Sequence, residues 1–127
     1  MTVNLTEETL VAFITTGDAK AALAFYEGVL GLTLVFDSEH VMALASGASR
    51  VMLQKGAAAK PRPGTVLGWE VRDLRSAVRD LAGRGVTFER FAGMDQDALG
   101  IWSPAPGHGV AWFKDPDGNT LSVSGPI

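Results

Sequence analysis

The chain has no cysteine, which excludes disulfides, thiolate metal sites and cysteine nucleophiles. It also has no long apolar run: nothing approaches the ~20 residues of a membrane-spanning helix. Positive charge is sparse. The densest cationic stretch, residues 72–90, is interleaved with acids, and the net charge is −3, so no nucleic-acid footprint is expected. Residues 1–8 are polar, with no basic segment followed by an apolar one, so no signal peptide is expected and a cytoplasmic location fits. Histidine occurs only at His40 and His108.

What remains is a chain of 127 residues, 46% apolar and 20% charged, enough for one folded domain with a real core. Residues 10–16 form a short apolar run, read as a strand. Asp18 is a plausible cap for a helix carrying Ala22, Leu23, Tyr26 and Leu30 on one stripe, stopped by Gly31. Residues 32–36, 40–45 and 50–54 read as three strands separated by polar turns. Residues 56–64, rich in proline, glycine and alanine, read as a linker.

The pattern then recurs. Residues 65–71 read as a strand, Asp73 caps a helix with Leu74, Ala77, Val78 and Leu81 on one face, and residues 86–91 read as a strand. A long segment, 92–109, holds a possible extra strand around Ile101-Trp102, and its Met94-Asp95-Gln96-Asp97 reads as a polar loop able to act as a lid. The chain closes with Ala111-Trp112-Phe113-Lys114 and Thr120-Leu121-Ser122-Val123 on either side of Asp115-Pro116-Asp117-Gly118, a turn composition that predicts a hairpin. Superposing Asp18 on Asp73 aligns Ala22 with Ala77 and Gly31-Leu32 with Gly85-Val86: an internal repeat of about 55 residues.

These residues carry a resemblance. Asp18, Phe25-Tyr26 and Leu30-Gly31-Leu32, followed by Phe113-Lys114-Asp115-Pro116-Asp117-Gly118-Asn119, resemble the vicinal oxygen chelate superfamily of glyoxalase I, bleomycin-resistance proteins and extradiol dioxygenases. The resemblance implies an α+β fold. Tandem βαβββ modules, at about 9–55 and 65–125 in a single domain, would form a curled mixed sheet, an open cup with helices on its convex side. It also implies a homodimer.

Alternation sorts the side chains under that fold. With Lys114 opposite Asn119, Trp112 would face Leu121 on the helix side, and Ala111, Phe113, Thr120, Ser122 and Ser124 would face the cup. Val66, Gly68 and Glu70 take the cup side of their strand, and Val11, Phe13 and Thr15 that of theirs. Trp69 and Trp112 are expected in the core.

Metal-dependent members of the superfamily place ligands on the first, fourth, fifth and last strands. The corresponding positions here hold Val11, Gln54, Val66 and Ser122. Valine offers no donor atom and a serine hydroxyl is a poor ligand for such ions, so neither a metal nor another cofactor is expected. The expected function is metal-independent binding of a small molecule in an apolar cup, sequestering an antibiotic or a metabolite. Its candidate contacts are Phe13, Met52, Gln54, Glu70, Trp102, His108, Phe113 and Ser122. The alternative is a lyase, isomerase or glyoxalase-like enzyme with Glu70 as general base or with a non-standard metal site. Glu70 could equally accept from a cationic ligand or pair with Arg72. His108 is either a solvated loop residue or a rim contact, and Trp102 either stacks on a ligand or packs on its own sheet.

Overall fold

A computed structural model describes residues 2–56 and 60–127, so Met1 and the Ala57–Ala59 part of the expected linker lie outside the described residues. The chain divides into two compact units, Met1–Lys60 and Pro61–Ile127.

In the first unit the polar lead-in contains a short 3-10 turn, Leu5–Glu7, with the Asn4 side chain accepting from Thr6 N–H. Strand β1 (Val11–Thr16) follows. Asp18 caps helix α1 (Ala19–Leu23) by accepting from Ala21 N–H at 3.1 Å. The helix does not continue as α. It widens into a π-helical segment, Ala24–Val29, where Leu30 N–H reaches back to Phe25 O at 2.9 Å. Strands β2 (Thr33–Asp37), β3 (Val41–Ser46) and β4 (Ser49–Lys55) complete the unit. The sheet order is β1-β4-β3-β2, with β1 parallel to β4. One face of this sheet carries Ile14, Met42, Leu44, Val51 and Leu53. All are buried, and with Ala22 and Tyr26 of the helical segment they form the core.

The second unit repeats the plan. Strand β5 (Thr65–Glu70) leads to α2 (Leu74–Gly83), capped by Asp73, whose carboxylate accepts from Ser76 N–H at 3.1 Å. Then come β6 (Trp102–Ala105), β7 (His108–Lys114) and β8 (Thr120–Pro126), in sheet order β5-β8-β7-β6 with β5 parallel to β8. Two mixed four-stranded sheets with the same strand order bear out the α+β fold and the tandem βαβββ reading. Helix α2 packs on β7 and β8, and Leu74 and Val78 are buried with Ala111, Phe113, Leu121 and Val123.

Residues 86–91 are not a regular strand. The neighbour position beyond β7 is shared: β6 pairs at Val110, while Phe88 forms an isolated bridge to Phe113. Phe88 is held there by an edge-to-face contact with the Phe113 ring, centroids 5.6 Å apart. The segment between is not loose. Gln96 donates from Nε2 to Glu89 O and Gly100 O and accepts at Oε1 from Phe91 N–H, while Asp97 Oδ1 accepts from Leu99 and Ile101 N–H. A loop able to act as a lid is therefore corrected to a strap laced by its own polar side chains.

The closing hairpin also departs from expectation, by one residue. Asp115 N–H donates to Asn119 O at 3.0 Å, closing a three-residue loop in which Gly118 takes φ +86°, a conformation glycine adopts without strain. Asp115 Oδ1 accepts from Asp117 and Asn119 N–H and fixes the turn. The register is therefore Lys114↔Thr120, Phe113↔Leu121, Trp112↔Ser122 and Ala111↔Val123. Because side chains alternate, the one-residue difference turns all of β7 over.

Candidate functional site

With β7 turned over, the expected cup residues Ala111 and Phe113 are on the α2 side, both fully buried. Phe113 as a ligand contact is corrected to a core residue. Trp112, expected in the core, stands on the open face instead, half-buried opposite Ser122. Val66 precedes Gly68 by two residues on β5. It is the extra residue at an irregularity in the β5–β8 pairing, between Thr65↔Thr120 and Leu67↔Leu121. The open-face contact at that end comes from Thr65, whose Oγ1 accepts from the Trp112 indole N–H at 3.1 Å.

The open face of the second unit can be followed in rows across the strands. One row runs Glu70, Ser124, Val110, Trp102, and the next runs Gly68, Ser122, Trp112. The Trp102 and Trp112 rings lie 6.1 Å apart and inclined at 32°, and Phe91 meets Trp112 edge-to-face at 5.5 Å. Aromatic rings thus occupy the β6–β7 side, serine and threonine hydroxyls the middle, and the exposed Glu70 the β5 edge. Gly68 leaves room at the centre: a Cβ there would lie 2.5 Å from Ser122 Oγ. His108 shares the face, two residues before Val110 on β7, and is half-buried. Of the expected contacts in this unit, Glu70, Trp102, His108 and Ser122 share one surface and Phe113 does not. The sequence reading missed Trp112 and Phe91. The signal for Trp112 was present, since glycine as third residue of a three-residue loop sets the register.

In the first unit, Phe13↔Met52 and Thr15↔Gln54 are paired on the sheet face away from the buried core. Phe13 is 61% exposed, and Val11 and Phe36 on the same face are exposed too.

A model of the glyoxalase/bleomycin resistance protein/dioxygenase superfamily matches residues 9–123. The chain belongs to that superfamily. No curated protein matches it. Among solved structures of the superfamily's fold, a glyoxalase family protein from Bacillus anthracis superposes with TM-score 0.73 at 14% identity, covering 99% of this chain and 100% of that one. An antibiotic binding protein, TnmS3, from a Streptomyces species superposes with TM-score 0.72 at 19% identity, covering 100% and 99%. A glyoxalase/bleomycin resistance protein/dioxygenase superfamily member from Sphaerobacter thermophilus is 26% identical, with TM-score 0.67 and coverage of 92% and 95%.

The positions to which the resemblance assigns the ligands of metal-dependent members hold a poor donor set here. Val11 and Val66 have no donor atoms, Ser122 brings a neutral hydroxyl, and only Gln54 offers a side-chain amide. Among the described residues no group of three or more His, Cys, Asp or Glu side chains could hold a metal ion. Nor, among them, is any helix long and apolar enough to cross a membrane.

Proposed function

We propose that this superfamily member is a metal-independent binding protein for a small, flat organic molecule, which it sequesters without turning it over. The observation that carries the reading is the Trp102–Trp112 pair on the open face of the second unit, flanked by Phe91. Stacking against such rings is worth about 0.5–1.5 kcal/mol beyond area burial. Ser122, Ser124 and Glu70 beside them supply the few polar groups that orient a ligand. Glu70, exposed at the sheet edge, suits a cationic substituent. The antibiotic-binding name of one structural neighbour supports an antibiotic or toxic metabolite as ligand. Phe13, Met52 and Gln54 of the first unit extend the same reading. The exposed Val11, Phe13 and Phe36 support homodimerisation, and a cysteine-free chain suits the cytoplasm.

The test is a thermal-shift and tryptophan-fluorescence screen of planar drug-like compounds on protein dialysed against chelator, repeated with added divalent ions. At least one compound is expected to raise Tm and quench emission equally in both, with affinity falling about tenfold in Trp112→Ala, the loss of one stacking contact. A requirement for stoichiometric Fe, Mn, Zn or Ni overturns the reading. Turnover of a bound compound that Glu70→Gln abolishes while sparing binding would establish the enzymatic alternative instead.

A further inference from the structure

A second concavity lies in the same unit, where the first turn of α2, the 95–97 strap and the start of β6 converge. Its volume is about 310 Å3, and its walls include Arg75, Asp95, Asp97, Ile101, Trp102 and Ile127. A methyl group on Gly109 would lie 2.6 Å from Ile101 Cγ2, 3.0 Å from Leu74 Cδ2 and 3.2 Å from Ile127 Cγ2. Ile101 and Ile127 therefore converge on the α2 side of β7, opposite the face that carries Trp112 and Ser122.

The charges in this cavity are unequally committed. Asp97 is spent on structure, with Oδ1 accepting from two backbone N–H groups and Oδ2 3.5 Å from Arg75 Nη1. That single contact is Arg75's only ion pair among the described residues, which leaves most of the five guanidinium N–H donors for another acceptor. Asp95, exposed on the strap, makes no hydrogen bond or ion pair with any described residue.

A free anion entering here would meet two aspartates, and a free cation would meet Arg75. Like charges brought together oppose binding. A molecule with both charges satisfies both walls. We propose that the cavity binds a small zwitterion of the amino-acid class, with its carboxylate on Arg75, its ammonium on Asp95 and an apolar side chain against Ile101 and Ile127. The volume is at the lower end of the ~300–1,000 Å3 typical of ligand pockets, which suits one amino acid and not a drug-sized molecule. The cavity shares Trp102 with the tryptophan face, but Arg75, Asp95, Ile101 and Ile127, which would hold the zwitterion, are no part of that face, so the two proposals are tested separately.

The test titrates L-leucine and L-phenylalanine into the intact protein, read by calorimetry and by indole emission, since Trp102 lines the cavity. Saturable binding is expected for at least one. Its amide, which lacks the carboxylate charge, and its N-acetyl form, which lacks the ammonium, should each bind about tenfold or more weakly, the loss of one charged contact. Arg75→Gln should weaken the free amino acid but not the amide, a cation that the arginine repels. Asp95→Asn should weaken the free amino acid but not the N-acetyl form, an anion that the aspartate repels. No saturable signal for either amino acid up to ~10 mM overturns the proposal. So does equal affinity for the free, amidated and acetylated forms, a comparison that needs no protein variant.

Discussion

Trp112 stands opposite Ser122 across the β7–β8 ladder, and its indole N–H donates to Thr65 Oγ1 on the far side of that pair. This register follows from a three-residue loop, and the loop from Gly118 at φ +86°. Alanine at that position pays the left-handed penalty of roughly 1–2 kcal/mol. Gly118→Ala should lower stability by about that much in urea melts. Gly125→Ala should cost more, because its Cβ would collide with the Val71 carbonyl oxygen, a backbone atom that cannot swing aside. Equal effects of the two changes would contradict the observed register.

The same register separates two phenylalanines that the sequence alone groups together. Phe113 is fully buried against Phe88, whereas Phe13 is 61% exposed. Phe113→Ala should destabilise by about 3–5 kcal/mol. Phe13→Ala should change stability by about 1 kcal/mol or less. Thermal denaturation of the two variants decides it, and a mild effect at Phe113 would put its side chain back on the open face.

What is legible in the chain is whatever local chemistry sets. Asp18 and Asp73 announce their helices because a carboxylate capping backbone N–H groups needs no distant partner. The repeat is visible because those caps recur at one spacing. Phe88 is misread because its environment is set by Phe113, far along the chain, and not by its own alternation. The turn composition at Asp115–Asn119 predicts a hairpin, but its loop length decides which face each side chain takes. The candidate site inherits that sensitivity. Residues on β5 and β8 are placed as expected except at the Val66 irregularity, and those on β7 are inverted.

Gln96 ties the strap to the aromatic face. Its side chain bonds Phe91 N–H, Glu89 O and Gly100 O, and Gln96 itself bridges Trp102. Gln96→Ala should lower stability by about 1–3 kcal/mol, the range for partners left without a hydrogen bond. Hydrogen–deuterium exchange should quicken at the Phe91 amide while the Val123 amide in β8 stays protected. Unchanged exchange at Phe91 would show that the strap does not depend on Gln96. Weaker binding of the ligand identified in the tryptophan screen, without loss of the fold, would mark Gln96 as a positioning residue for the rings.

Asp73 gives the chain a defined pH response. Its carboxyl is held below its ordinary value of 3.8, first by the hydrogen bond from Ser76 N–H, then by the Ser76 hydroxyl, with Arg79 adding its charge. A carboxyl depressed in the folded state favours folding above its unfolded pKa, and that contribution fades as pH falls through the folded value. Asp73→Ala should therefore be less stable than the wild type by a constant margin from about pH 7 to about pH 5, and the margin should narrow below 3.8. Urea melts of both proteins across that range read the difference, in which the other carboxylates cancel. A margin unchanged at the acid end would mean that the cap works without its charge, and that the Ser76 contacts hold the acid and its conjugate base alike.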